Sequence, residues 1–303
     1  MDALRTPEER FADLPGWPYE PRYVEVDDGE GGRLRVHHVD EGPAGAPVVL
    51  LMHGEPTWSY LYRHVIPPLV EAGLRVVAPD LVGFGRSDKP TRREDHTYAR
   101  HVGWMAEALF DRLDLRDVTL FGQDWGSLIG LRLVGEHPDR IARVAIGNGG
   151  LPTGDRPLSE AFAAWQRFAR EAEQFPVGAI VAGGCTRTLA PEEVAAYDAP
   201  FPTDDLTAGP RTLPALVPTS SEDPASAANR AAWDVLRSFD RPFLCCFSDG
   251  DPVTAGGERV FHREVPGTAG QAHVTLTGAG HFLQEDRGRD LGRLLAEFVG
   301  AGT

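Results

Sequence analysis

The most informative stretch of this sequence is Leu120-Phe121-Gly122-Gln123-Asp124-Trp125-Gly126-Ser127. The apolar run 118–121 predicts a buried strand, and the apolar positions within 128–134 predict a helix that packs back on a sheet. Gly122 and Gly126 allow a sharp turn between the two elements. Such a turn presents the carboxylate of Asp124, which is therefore a candidate nucleophile.

A plainer interpretation of Asp124 stays open at this point. Aspartate directly before a helix is commonly an N-cap, whose carboxylate accepts hydrogen bonds from the first free backbone N–H groups of the helix. The choice between cap and nucleophile depends on which other polar residues the chain brings to the same place.

The overall composition is that of an ordinary globular enzyme. With 303 residues, of which 42% are hydrophobic and 25% charged, the chain can bury one large core. The formal net charge of -15 argues against nucleic acid and anionic membrane surfaces as partners. No stretch approaches the length of a membrane span, and residues 1–9 lack the layout of a signal peptide. We therefore expect a cytoplasmic protein, either a monomer or a weak homo-oligomer.

The three cysteines indicate neither disulfides nor a metal site. Cys245 and Cys246 are neighbours in an apolar run and should point to opposite faces of a strand, whereas Cys185 stands alone. Since the sequence contains no C-x-x-C and no H-E-x-x-H pairing, we expect free thiols and no metal site.

Strand and helix patterns alternate along the first half of the chain. The expected strands are 33–40, 47–52, 75–79, 118–121 and 144–146, and the expected helices lie near 58–72, near 96–113 and directly after Asp124. This alternation predicts an α/β protein with a mostly parallel sheet and helices on both faces.

The pattern changes between about Gly149 and Ala231, where proline and glycine are frequent and only short helical stretches occur, near 159–173 and 191–197. Strands then return at 242–247 and 273–276, before a final helix at 288–299. We therefore predict a helical cap, residues 150–231, inserted into a core formed by 1–149 and 232–303.

Three polar residues directly follow expected strands, in the chain order Asp124, Asp251, His281. Nucleophile, acid and histidine in that order are typical of the α/β-hydrolase fold. Alone, Asp251 could start a turn and His281 could be a solvated loop residue, but their joint position at strand ends favours a catalytic triad. Asp249, which follows the same strand, remains the alternative acid.

Four motifs resemble those of one family. They are His53-Gly54-Glu55-Pro56-Thr57-Trp58-Ser59-Tyr60-Leu61-Tyr62-Arg63, Gly83-Phe84-Gly85-Arg86-Ser87-Asp88-Lys89-Pro90, Gln123-Asp124-Trp125-Gly126 and Gly280-His281-Phe282. Together they resemble a haloalkane dehalogenase, of the subfamily whose oxyanion loop reads His-Gly-Glu-Pro. The resemblance implies that a small neutral halogenated alkane is hydrolysed by water to a primary alcohol and a halide ion, without a cofactor, oxygen or a metal.

The chemistry of the residues agrees with that implication. Displacement at a saturated carbon requires an anion that attacks without first losing a proton, and Asp124 supplies one. His281, held in one tautomer by Asp251, would activate water against the resulting alkyl ester. The backbone N–H groups of Glu55 and Trp125 would form the oxyanion hole, and the Glu55 side chain would help to hold the water.

The departing halide needs hydrogen-bond donors in a dry site, and the indole N–H of Trp125 is one. Because a Glu55 carboxylate can only accept hydrogen bonds, we expect the second donor to come from the insertion. By the family resemblance this is Trp165, with Trp233 as the alternative. Phe162 and Phe168 flank Trp165 at helical spacing, and this aromatic face could also be plain packing surface.

Other functions are less consistent with the sequence. Epoxide hydrolases use two tyrosines from the cap, whereas residues 150–232 contain only Tyr197. Haloacid dehalogenases hold the substrate carboxylate with arginines after the nucleophile, where this chain has Trp125 and Leu128. A binding protein of this fold that has lost its chemistry would not require an intact triad.

Overall fold

The computed structural model describes residues 1–156 and 159–300, so that 157–158, inside the predicted insertion, and 301–303 lie outside the described residues. The strands are β1 (Ala3–Leu4), β2 (Arg22–Asp27), β3 (Arg33–Glu41), β4 (Val48–Met52), β5 (Arg75–Pro79), β6 (Lys89–Pro90), β7 (Val118–Gln123), β8 (Ile141–Gly147), β9 (Phe243–Ser248) and β10 (Val274–Leu276). The helices are α1 (Ile66–Glu71), α2 (Tyr98–Ala106), α3 (Trp125–Glu136), α4 (Glu160–Glu171), α5 (Val177–Gly183), α6 (Pro191–Asp198), α7 (Ala208–Leu216), α8 (Ser226–Leu236), α9 (Glu258–Glu264) and α10 (Leu283–Gly300).

The main sheet has eight strands in the order β10-β9-β8-β7-β4-β5-β3-β2. The neighbours from β10 to β5 pair in parallel, whereas β3 pairs antiparallel with both β2 and β5. Strands β1 and β6 form a separate antiparallel pair. The prediction of a mostly parallel sheet is therefore confirmed, and β4 and β7 lie side by side at its centre.

The expected strands are present with small changes at their ends, but two segments differ from the prediction. The helix expected near 58–72 is split into a 3-10 turn, Ser59–Tyr62, and the short α1. Pro67 and Pro68 lack the N–H that a helix interior needs, so the α-helix can begin only just before them. Strand β2 was not predicted, because only Val26 of its six residues is buried and its charged residues interrupt any apolar pattern.

Two apolar clusters cover the two faces of the sheet. Helix α3 packs on one face and helices α1 and α10 pack on the other. Cys245 belongs to the first cluster and Cys246 to the second, so adjacent residues of β9 point to opposite faces as predicted. Both thiols and that of Cys185 are free.

Within the described residues, the segment between β8 and β9 contains no strand, and it holds the helices α4 to α8, which are joined by loops. Helix α8 runs across position 231, where the sequence placed the end of the insertion. Its Ala232 packs against Gly135 of α3 so closely that a Cβ at Gly135 would lie 2.6 Å from the Cβ of Ala232. The second half of α8 is therefore in contact with the core.

A buried ionic network joins the insertion to the core on the other face. The Arg63 guanidinium lies 2.8 Å from the Glu193 carboxylate of α6 and 2.9 Å from Glu285 of α10. Arg187 donates to both carboxylates, and the Tyr197 hydroxyl donates to Glu285. Since each buried charge has several partners, loss of one member would leave an uncompensated charge.

Within the described residues, no helix combines the length and the apolar composition that a membrane-crossing segment needs.

Candidate active site

Four polar residues meet at one edge of the sheet, because parallel strands bring their carboxyl ends together. Glu55 follows β4, Asp124 follows β7, Asp251 follows β9 and His281 follows β10. The residues chosen from the sequence for a triad therefore occupy the place where an open α/β sheet holds its ligands.

The turn at Asp124 is as sharp as the sequence predicts. Asp124 has φ 51° and ψ -128°, a conformation that costs energy for a residue with a side chain. Glycine is also required two residues later, at Gly126, because a Cβ there would lie 1.9 Å from the Met52 carbonyl oxygen of β4. Strand and helix therefore meet with the Asp124 side chain at the tip of the turn.

The Asp124 carboxylate does not cap helix α3. Its side chain makes no capping hydrogen bond, and its Oδ1 instead accepts one from the backbone N–H of Glu55 at 2.7 Å. Gly54 allows this approach, since a Cβ there would lie 2.3 Å from the same oxygen. The Glu55 N–H thus already donates to the oxygen that would become the carbonyl oxygen of an Asp124 ester, as an oxyanion donor must.

His281 links two aspartates. Its Nδ1 lies 3.0 Å from Oδ2 of Asp251, and its Nε2 lies 3.7 Å from Oδ2 of Asp124. The alternative acid, Asp249, instead accepts hydrogen bonds from the backbone N–H groups of Gly278 and Ala279, at 2.8 Å and 3.4 Å. Asp251 is therefore the aspartate that contacts the histidine.

The charges around His281 favour its protonated form while Asp124 is ionised. Burial lowers the pKa of His281, but the hydrogen bonds and charges of Asp124 and Asp251 outweigh it and raise the pKa to about 10. Burial opposes ionisation of Asp251 as well, yet its contacts with His281 keep the pKa of Asp251 below the ordinary value. Any reaction that neutralises Asp124 removes one of the two charges that stabilise the imidazolium.

Glu55 departs from the expectation that it is a carboxylate. Its side chain is 3% exposed, and its Oε1 has no hydrogen-bond partner among the described residues. Burial raises the pKa of Glu55 well above its ordinary value, the Asp124 charge raises it further, and the Trp165 indole as a donor opposes part of the shift. The neutral acid is favoured, so Glu55 has an O–H to donate.

An apolar cavity of about 520 Å³ opens above Asp124 and His281. Phe162, Trp165 and Phe168 of α4 line one side of it, so the aromatic face of this helix is a cavity wall and not only packing surface. Trp165 and Phe168 stack with ring centroids 5.6 Å apart. Nineteen of the residues that the structure describes line the cavity, and the aliphatic and aromatic ones suit an uncharged apolar ligand.

Comparison with known proteins agrees with this geometry. A family model described as the alpha/beta hydrolase fold matches residues 47–288. The chain is 55% identical to a haloalkane dehalogenase of Psychrobacter cryohalolentis over 299 residues, which cover 99% of this chain and 98% of that protein. It is 52% identical to a haloalkane dehalogenase of Mycobacterium marinum, over 96% of this chain and 97% of that protein.

The chain belongs to the haloalkane dehalogenase family. The solved structure of a tetrameric haloalkane dehalogenase from Paraglaciecola agarilytica has a TM-score of 0.87 and 35% sequence identity, over 96% of this chain and 97% of that one. The α/β-hydrolase fold and the family resemblance expected from the motifs are both confirmed.

The tryptophans of this haloalkane dehalogenase chain occupy different surroundings. Trp165 lines the cavity, where its indole faces the Glu55 side chain, whereas the Trp233 N–H donates to the Leu151 carbonyl at 2.8 Å. Trp125 is 2% exposed and packs edge-on against Tyr98 with ring centroids 4.9 Å apart. Trp125 follows Asp124 directly in the chain without being one of the described residues that line the cavity.

Two polar residues of this dehalogenase site were not singled out from the sequence. The Gln123 amide nitrogen lies 3.0 Å from Nε2 of His281. The Asn148 amide donates to the carbonyl oxygens of Gly280 and His281, at 2.9 Å and 3.0 Å, and so holds the histidine loop. Asn148 directly follows β8, and a polar residue at the end of a buried strand is the signal that could have indicated it.

Proposed function

We propose that this chain hydrolyses neutral haloalkanes to a primary alcohol and a halide ion through a covalent ester on Asp124. The observation that carries the proposal is the Asp124 carboxylate at the base of an apolar cavity, 3.7 Å from His281. A carboxylate in apolar surroundings has lost much of its hydration, which favours attack on an uncharged carbon.

In the first step, an Asp124 oxygen attacks the carbon that carries the halogen, and the carbon-halogen bond breaks with its electron pair on the halide. No proton moves in this step, so it does not require a base. The halide then needs donors, which we assign to the indole N–H groups of Trp125 and Trp165. Trp165 is supported by its place in the cavity wall, and Trp125 by its position next to Asp124 in the chain.

In the second step, His281 takes a proton from water as the water oxygen attacks the carbonyl carbon of the ester. Asp251 holds Nδ1 and stabilises the imidazolium that forms. The N–H groups of Glu55 and Trp125 stabilise the oxyanion, and the Glu55 N–H already contacts the oxygen concerned. Collapse of the intermediate breaks the bond between the carbonyl carbon and the alkyl oxygen, and that oxygen leaves as the alcohol with one proton of the attacking water. Asp124 is then a carboxylate again, and the second proton of the water passes from His281 to solvent.

An epoxide hydrolase is disfavoured by the same geometry. Tyr197, the tyrosine of the insertion, donates its hydroxyl to Glu285 and does not point at the nucleophile. Among the residues that the structure describes, no tyrosine lines the cavity. Two tyrosine donors for an epoxide oxygen are therefore missing from the described part of the site.

The test of the proposed function is halide release from bromoalkanes and chloroalkanes at near-neutral pH. We expect stoichiometric alcohol and halide with bromoalkanes reacting faster, because bromide is the better leaving group. A terminal epoxide of the same chain length serves as the comparison substrate. Diol formation without any halide release from the haloalkane panel would contradict the proposal.

Replacement of Trp165 by phenylalanine should weaken halide binding and slow carbon-halogen cleavage by about 10- to 100-fold. The change keeps the apolar surface but deletes an N–H bond to a charged group, which is worth about 1.5 to 3 kcal/mol. Ester hydrolysis should suffer less, since the halide has already formed by then. Bromide quenching of tryptophan fluorescence and the pre-steady-state halide burst report the two effects.

Trp233→Phe is the matched control for this substitution. Its N–H is bonded to Leu151, so it should cost folding stability without changing bromide affinity. The assignment of Trp165 is wrong if Trp233→Phe loses bromide binding while Trp165→Phe keeps it.

A further inference from the structure

The Gln123 side chain makes two contacts with the same histidine. Its Nε2 lies 3.0 Å from Nε2 of His281 and 3.2 Å from the His281 carbonyl oxygen. Gln123 is fully buried at the end of β7, directly before the nucleophile. Neither step of the proposed mechanism uses Gln123, although its side chain contacts Nε2 of His281, the atom that must accept a proton.

The orientation of the Gln123 amide follows from its neighbours. A backbone carbonyl can only accept, so the NH₂ group and not the oxygen must face the His281 carbonyl. The amide oxygen on the other side accepts from the Gln284 side chain at 3.4 Å. The NH₂ group, which has two hydrogens, is therefore also the group that faces the imidazole.

This orientation restricts the state of the imidazole. Nδ1 faces the Asp251 carboxylate and so carries a hydrogen. An amide N–H can donate to Nε2 only when that nitrogen has its lone pair free. Against an imidazolium, two N–H groups would oppose each other at 3.0 Å. The contact thus stabilises neutral His281 with the hydrogen on Nδ1.

We propose that Gln123 is a positioning residue, which keeps Nε2 of His281 unprotonated and oriented for the attacking water once the Asp124 ester has formed. The inference rests on the proposed function, because it concerns the hydrolytic step of that reaction. The amide N–H holds Nε2 until a water molecule takes its place as donor, and the bond to the His281 carbonyl keeps Gln123 nearby.

The charged groups that face His281 explain why such a residue is useful. Asp251, after β9, stabilises the imidazolium throughout, and Asp124, after β7, does so only while it is ionised. Burial favours the neutral form of Glu55, after β4, by raising its pKa, and burial likewise raises the pKa of the Cys185 thiol in the cavity wall. In the ester state Asp251 is therefore the remaining charge that favours a proton on His281, and Gln123 acts against it.

The test is the pH dependence of ester hydrolysis in Gln123→Met, which has a side chain of similar length without a donor. Loss of one hydrogen bond to the neutral imidazole should raise the apparent pKa of the hydrolytic step by about one unit. Hydrolysis near pH 7 should fall by about 10-fold and recover above about pH 9, while the halide burst changes by less than about threefold. Rapid-quench measurement with a bromoalkane separates the two steps.

Gln166→Met is the control. It removes another amide that donates to a backbone carbonyl, that of Pro214 at 2.8 Å, and should leave the pH profile unchanged. A loss in Gln123→Met that is equal at all pH values, or equal in both steps, would show a merely structural role and overturn the inference. If the unmodified protein released no halide at all, the proposed function itself would fail, which is a different outcome.

A second measurement needs neither turnover nor a stable Gln123 variant. In Asp124→Asn the nucleophile is neutral, as it is in the ester, while Gln123 is intact. Nitrogen-15 NMR of labelled histidine should then show His281 unprotonated at Nε2 at neutral pH, with its pKa below that of the parent protein. The inference would also be overturned if Nε2 of His281 stayed protonated at about pH 8 in Asp124→Asn.

Discussion

Replacement of His281 by phenylalanine should turn the protein from a catalyst into a reagent that releases one halide ion per molecule and then stops. The alkylation step needs the Asp124 carboxylate but no base, so the burst of halide should persist. The hydrolytic step loses its general base, which typically contributes 10²- to 10⁴-fold, so steady-state turnover should fall by about 10³-fold. Mass spectrometry should find the alkyl group on the peptide that contains Asp124.

The reason lies in the geometry of the triad. His281 is the group whose ring nitrogen lies within 4 Å of the Asp124 carboxylate while its other nitrogen is held by Asp251. His137→Phe is a matched control, because it makes the same substitution at the end of α3, beside Phe110. Turnover of His281→Phe at the rate of the control would remove His281 from the mechanism.

Asp124→Asn should abolish halide release, burst included, by at least about 10⁴-fold. The amide has nearly the same size as the carboxylate, but it carries no charge and is a poor nucleophile. Asparagine also tolerates positive φ, so the turn at 51° should fold as before. The absence of a burst distinguishes this variant from His281→Phe, which should keep it.

Oxygen-18 labelling of the parent protein provides an independent test of the Asp124 ester. A single turnover in oxygen-18 water should place label in the peptide with Asp124, because water attacks the carbonyl carbon of the ester. The control for the Asp124→Asn variant is Asp139→Asn, which removes one negative charge from a side chain that is 80% exposed. An unlabelled Asp124 peptide, or a full halide burst from Asp124→Asn, would exclude the covalent ester.

Much of the fold could be predicted from sequence because its elements depend on near neighbours in the chain. The central strands are buried on both faces and so appear as continuous apolar runs, as in β4 and β7. Strand β2 has no such signal, because at the edge of the sheet only one of its six residues is buried. Pro67 and Pro68 indicate the split of the helix expected near residues 58–72, but the prediction followed the apolar pattern around these two prolines.

The sequence by itself determined the sharp turn that presents Asp124, the order of the three polar residues and the family. Each depends on spacing along the chain: Gly122 and Gly126 permit the turn, and the strand ends place Asp124, Asp251 and His281 at one edge of the sheet. The presence of an aromatic helix face was also visible, since Phe162, Trp165 and Phe168 repeat at three-residue spacing.

Only the tertiary structure decided which groups touch. Asp249 and Asp251 are equivalent in the sequence, and the path of the loop after β9 brings Asp251 to His281. Glu55 is an ordinary acid in the sequence, but burial beneath the insertion favours its neutral form. Gln123 contacts a residue 158 positions away. Such contacts and the desolvation that accompanies them depend on how distant segments pack, and no local pattern encodes that.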